Sequence, residues 1–279
     1  MKKNRAQQSN YYVPDPSYWP VIGSLSLLIT FSGFVLLLQQ IQSGPYVMAA
    51  GILLLIYMTF GWFGTVIRES QKGLFNAKVD SSFRWGMCWF IFSEVMFFAA
   101  LFGALFYARV IAVPELAETQ LLWPQYAGDW PTAGPGLDEQ FTPMAAWGIP
   151  AINTLILLSS GATVTWAHWG LKKNNRRQLN LGLFLTILLG AIFLGLQAYE
   201  YIIADFNFKT GIYGATFFIL TGFHGAHVTL GGIMLAVILA RTLAGHFTPT
   251  HHFGFEAVTW YWHFVDVVWL ILFVFAYWI

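Results

Sequence analysis

Long apolar runs separated by short polar connectors dominate the chain, and only one connector is long. Crossing a hydrocarbon layer ~30 Å thick takes about 20 residues of helix. Seven runs reach that length, at about Trp19–Gln39, Tyr46–Ile67, Trp85–Val110, Ile149–Gly170, Leu179–Ile203, Gly211–Ala240 and Ala257–Trp278. Each is predicted to be an α-helix, because a span in lipid must satisfy its backbone hydrogen bonds internally. The third and sixth runs exceed the minimum, which predicts tilt rather than additional crossings. The long connector, Ile111–Gly148, carries Pro114, Pro124, Pro131, Pro135 and Pro143 and is predicted to be an ordered cap without regular structure. The run from Trp19 lacks a small-residue cleavage pattern, so it is expected to stay as the first span rather than be removed as a signal. Ala99 with Gly103, and Ala100 with Ala104, have the spacing of close interhelical contacts. With no internal repeat or low-complexity segment, residues 1–279 read as a single all-α, seven-transmembrane-helix domain.

Composition turns that pattern into a statement about solvent. The chain is 57% hydrophobic and 10% charged, against about 25% charged residues in soluble domains. Too little polar surface remains to cover a soluble globule, so the surrounding medium is lipid. No basic cluster is large enough to track phosphates, which excludes nucleic acid as a partner. The single cysteine, Cys88, rules out an intrachain disulfide.

Charge then orients the spans. Lys2, Lys3 and Arg5 precede the first span, and Arg68, Lys72, Lys78 and Arg84 lie between the second and third. Lys172, Lys173, Arg176 and Arg177 follow the fourth, and Arg241 follows the sixth. Seven crossings put all of these on one face and leave only Arg109 and Lys209, of 14 lysines and arginines, on the other. Basic connectors stay inside, so the N-terminus is expected on the cytoplasmic or matrix side and the C-terminus opposite. The outer face receives Glu115, Glu118, Asp129, Asp138 and Glu139 in the long connector. Tyr18, Trp19, Trp62, Trp85, Trp147, Trp166, Trp169, Tyr277 and Trp278 sit at span ends as interfacial anchors.

Ionisable groups at membrane depth are the candidates for chemistry, since each is costly unless paired or functional. Glu94 lies roughly 13 Å from the inner edge of the third span at 1.5 Å per residue. The seventh span presents Glu256, Thr259, His263 and Asp266 on one helical face, and the sixth presents Thr221, His224 and His227. Glu94, His227, His263 and Asp266 fall at a similar depth, which predicts a buried polar cluster joining the third, sixth and seventh spans. His224 and His227 with Glu94 or Asp266 admit a metal or haem site, but buried polar groups usually pair, and the packing cluster is the favoured reading. Glu94 admits proton handling and packing equally. His251 and His252 are expected to be solvated loop residues with no further ligand at metal-site spacing. Glu200, close to the outer end of the fifth span, is expected to reach water. Asn153, Ser160 and Thr163 are predicted to bind helices together. At the inner interface, Trp62, Arg68, Arg241, His246 and Phe247 combine cations with aromatic rings, as an anionic lipid head group would require. Ordinary positive-inside charge explains the same cations.

These residues are also where a resemblance becomes visible. His251-His-Phe-Gly-Phe-Glu-Ala-Val-Thr-Trp-Tyr-Trp-His-Phe-Val-Asp-Val-Val-Trp269 resembles the last span of the cytochrome c oxidase subunit III family. Tyr213-Gly-Ala-Thr-Phe-Phe218 and Thr221-Gly-Phe-His-Gly-Ala-His-Val228 resemble it as well, with Ser93-Glu-Val-Met-Phe-Phe98, Ile152-Asn-Thr-Leu155, Thr165-Trp-Ala-His168, Val66-Ile-Arg-Glu-Ser70 and Tyr18-Trp-Pro20. The match covers essentially the whole chain, and the long outer loop is closer to bacterial members. Related quinol oxidase subunits are similar but usually have five spans.

The resemblance implies two helices set apart from five by a cleft that holds phospholipids. It implies a non-catalytic subunit that contacts subunit I of a haem–copper oxidase in a bacterial plasma membrane, less readily a mitochondrial inner membrane. Haem and copper would lie in partner subunits, with none bound by this chain. Glu94 falls on the family's intramembrane carboxylate, and Arg68, Arg241 and His246 fall on or near its lipid-facing edge. Gly64 and Thr65 depart from the arginine and aspartate of many relatives, and Ala244 from the lysine of some. Two other classes compete. A self-contained transporter would show inverted repeats and broken helices, and neither is present; a retinal photoreceptor needs a lysine in the seventh span, which has none.

Overall fold

A computed structural model describes residues 13–137 and 141–278. Lys2, Lys3, Arg5, Asp138 and Glu139, used above to orient the chain, lie outside the described residues. Among the described residues there is no strand, and seven helices are long and apolar enough to cross a membrane. The chain is a membrane protein, and it divides into two compact units, one ending at Phe83 and the other starting at Arg84.

The first unit is built on α1 (Trp19–Leu38) and α2 (Gly44–Gln71), each with a proline in its first turn. Proline there loses no hydrogen bond, since the first amides of a helix have no intrahelical acceptor. Between them Gln40 takes a left-handed conformation, φ 58°, to reverse the chain. Lipid supplies no hydrophobic force between helices, so they associate through close packing that small residues permit. The backbones of α1 and α2 meet at such residues: a side chain at Gly33 would enter the Met48 backbone, and one at Gly51 would enter Thr30. Gly61 leaves room for the Trp19 ring, whose Nε1 donates to Thr65 Oγ1 at 3.3 Å. The remaining faces, with Leu28, Phe31, Leu53, Phe60 and Phe63, are exposed.

The second unit contains the rest of α3 (Ala77–Phe106), α4 (Val113–Glu118), α5 (Ile149–Lys172), α6 (Arg176–Ile203), α7 (Gly211–Leu243) and α8 (Phe253–Leu272). Its core is centred on α8. The Trp262 ring is wholly buried, lies against Gly190 of α6 and Gly231 of α7, and donates its Nε1–H to Ser160 Oγ of α5 at 2.9 Å. Trp269, two turns on, donates to Thr154 Oγ1 at 2.9 Å and meets Phe193 edge-on at 4.7 Å. Thr163 and Thr186 join α5 to α6 by a 2.8 Å hydroxyl contact, and Asn153 donates to the Phe193 carbonyl at 3.5 Å.

Three expectations need correction. The third span does not stop at Val110: a π-helical turn, Tyr107–Ala112, leads into α4, so helix continues to Glu118. Pro114 has no amide hydrogen to give an α-helical acceptor, and the wider π turn just before it changes the register. Beyond Glu118 the described residues of the connector form no regular element, and Trp130 and Phe141 pack on the core while the Ile212 and Tyr213 amides bond to the Ala133 and Thr132 carbonyls. Ala99, Ala100, Gly103 and Ala104 are exposed rather than interhelical, and a side chain at Gly103 would meet nothing nearby. Glu200 does not reach water; its side chain is fully buried, with Gln197 and Tyr277 also buried at this end.

Candidate functional site

Glu94 on α3 and His227 on α7 meet at membrane depth, with Oε2 and Nε2 2.9 Å apart. His227 also places Nδ1 2.6 Å from the Phe223 carbonyl, one turn back on its own helix. A carbonyl only accepts, so Nδ1 carries a hydrogen. In a neutral ring Nε2 then has a lone pair, and a lone pair cannot face a carboxylate without repulsion. The 2.9 Å contact therefore holds a proton, either as an imidazolium beside a carboxylate or as a carboxylic acid donating to the imidazole. Aromatic rings surround it: Phe97, Phe98, Tyr261 and Phe264 lie with centroids 4.9 to 6.4 Å from the imidazole. In such low-dielectric surroundings the hydrogen bond is stronger than in water.

His263 and Asp266 do not join this pair, so the single cluster expected across the third, sixth and seventh spans is divided. They face α5 instead. His263 Nδ1 is 3.5 Å from Asp266 Oδ2, and its Nε2 is 3.2 Å from Thr165 Oγ1. Gly161 makes the space: any side chain there would occupy the position of the Asp266 carboxylate. His224 takes a third direction, donating Nε2–H to the Val265 carbonyl at 3.2 Å, with Phe193 and Trp269 beside its ring. A common face and depth on neighbouring helices left the rotation of each helix undetermined, and that rotation separates the groups. Among the described residues, His224, His227, Glu94 and Asp266 do not converge as ligands.

At the basic helix ends, Arg241 lies over the Phe247 ring at 4.4 Å, and Phe247 is itself buried, with its carbonyl accepting from Arg176 Nη2 at 2.7 Å. His246 is partly exposed on the preceding turn. In the first unit, Trp62 is exposed and Arg68 donates to Thr65 Oγ1 at 2.9 Å, so the threonine at this departure from the family pattern anchors both Arg68 and Trp19.

One group was missed. Arg84 of α3 forms an ion pair with Glu256 in the first turn of α8, and His252 and His168 approach the other carboxylate oxygen at 3.2 and 3.7 Å. His252 is not the solvated loop residue expected: its side chain is 9% exposed. The four-residue spacing of His252 and Glu256 was the available signal; Arg84 and His168 arrive from other helices and leave no trace in spacing.

The sequence matches the family model described as cytochrome c oxidase subunit III over residues 9–279. It is 43% identical over 274 residues to cytochrome c oxidase subunit 3 of Marchantia polymorpha, covering 98% of this chain and 97% of that one. The subunit 3 of Pongo abelii is 45% identical over 275 residues, and that of Cyprinus carpio 42% over 273, each covering 98% of both chains. Nearly full-length similarity on both sides, together with the seven apolar helices, leads to one conclusion: the chain belongs to the cytochrome c oxidase subunit III family.

Proposed function

We propose that this chain supports proton uptake and durability of subunit I in a cytochrome c oxidase, and holds structural phospholipids beside it. Membership of the family makes it a non-catalytic part of a respiratory oxidoreductase complex with no redox centre of its own; haem and copper belong to its partner subunits. The complex reduces oxygen to water with electrons from cytochrome c while pumping protons. The N-terminus faces the cytoplasm of a bacterium, or less readily a mitochondrial matrix, and the C-terminus faces the opposite side, a reading supported by the basic helix ends. Phospholipid head groups would meet Trp62, Arg68, Arg241 and His246 at those basic ends, with Phe247 backing Arg241.

The observation that carries the proton role is the Glu94–His227 contact, which has to hold a proton about halfway into the membrane. Glu94→Gln tests it. The amide preserves size and can donate to the imidazole, while removing the carboxyl that takes up and releases a proton. The oxidase complex carrying Glu94→Gln should assemble with its full haem content, and its turnover rate or its lifetime under steady turnover should fall several-fold. Unchanged turnover, lifetime and pumping in that complex would overturn the role.

A further inference from the structure

Two buried histidine nitrogens without hydrogen-bond partners face one carboxylate oxygen at the basic end of α5 and α8. They are Nε2 of His168 and Nε2 of His252, and the oxygen is Glu256 Oε1, 3.7 and 3.2 Å away. The side chains of His168, His252 and Glu256 are 18%, 9% and 13% exposed. One ligand atom from each lies within 4.8 Å of the other two.

Local structure sets the protonation of His252. A turn with reciprocal 3.3 Å backbone hydrogen bonds between Thr248 and His251 precedes α8. It brings the Thr248 carbonyl within 3.0 Å of His252 Nδ1. The carbonyl only accepts, so Nδ1 carries the hydrogen; a neutral ring sets its Nε2 lone pair against the Glu256 carboxylate, a repulsion that a proton or a bound cation between them removes. Metal-bound histidines characteristically donate their other N–H to a carbonyl or carboxylate in this way, which fixes tautomer and ring orientation. Arg84 holds the second carboxylate oxygen in an ion pair and leaves Oε1 directed at the two imidazoles.

The spacing suits an ion bonded to all three. Tetrahedral ligands bound at about 2.0–2.2 Å are separated by roughly 3.3–3.6 Å, and the separations of 3.2 and 3.7 Å from Glu256 Oε1 lie within about 0.1 Å of that range. Two imidazole nitrogens with one carboxylate oxygen match the borderline donor preference of zinc, whereas magnesium and calcium take oxygen. Arg84 and Lys172 add positive charge nearby, which selects an ion that bonds nitrogen over one held by charge alone. We propose that His168, His252 and Glu256 form a binding site for a divalent ion of the zinc class, with a fourth coordination position left for water.

The test uses the full chain in detergent, stripped with a chelator and titrated with Zn²⁺ against a chromophoric zinc indicator. One zinc per chain is expected. His252→Ala and His168→Ala should each weaken binding by roughly 100-fold or more, whereas His251→Ala, on the exposed neighbour, should leave it unchanged. Circular dichroism identifies variants that retain native helix content, and because the two histidines lie on different elements, either folded variant decides the matter. Crystals of the oxidase complex soaked in zinc should show an anomalous peak among the three side chains. Absence of stoichiometric binding by the folded chain, equal binding by the folded histidine variants, or equal loss in His251→Ala would overturn the site.

Discussion

At the scale of single residues, the buried tryptophans show how a polar atom can be used inside an apolar bundle. Trp262 fills the space that Gly190 and Gly231 leave open, and its one polar atom is satisfied by Ser160. Removing a partner from a buried donor costs its desolvation, about 1–3 kcal/mol. Ser160→Ala should therefore lower the thermal midpoint of the detergent-solubilised chain, a change read by scanning calorimetry, whereas Ser159→Ala, on the exposed side, should leave it in place. The sequence suggested that Ser160 joins helices, and the contact is Trp262 of α8. Glu94 and His227 were also legible, as intramembrane groups on runs long enough to cross. Their partnership was not, because composition and spacing carry no information on which way each helix is rotated. The same limit hid the Arg84, His168, His252 and Glu256 group, whose members come from three helices and are ordinary when read one at a time.

At the scale of elements, the spans were readable because lipid demands length and apolarity, and both are properties of a run rather than of a contact. Their ends were less so. The third helix continues to Glu118 past a proline that normally marks a stop, since the π turn before Pro114 absorbs the missing hydrogen bond. Close helix packing was misplaced: the small residues of α3 face outward, while Gly33, Gly44, Gly51 and Gly61 bring α1 and α2 together. Gly51→Val tests the pairing, because the added atoms would enter the Thr30 backbone. Overpacking of this kind costs about 1–3 kcal/mol. The variant chain should show a lower thermal midpoint and faster proteolysis at residues 39–43, whereas Gly86→Val, with no atom near its Cβ, should match the parent. Equal stability of the two variants would refute the close approach of α1 and α2.

At the scale of the whole molecule, seven crossings place Thr250, between α7 and α8, on the face opposite Leu121, beyond α4. Leu121 is 97% exposed and Thr250 is exposed, so both suit labelling. After replacement of Cys88 by serine, a membrane-impermeant maleimide should reach Thr250→Cys from the cytoplasmic side and Leu121→Cys from the periplasmic side. Labelling of both from one side would contradict the odd number of crossings, and labelling in the reverse sense would invert the proposed orientation. The glycine-packed pair α1 and α2 has one more consequence, which concerns biogenesis. Every contact that joins these two helices lies between Trp19 and Gln71, and contacts close in sequence form early. The hairpin can close as soon as those residues have left the ribosome, and the later spans then enter a bilayer in which the first assembly step is already complete.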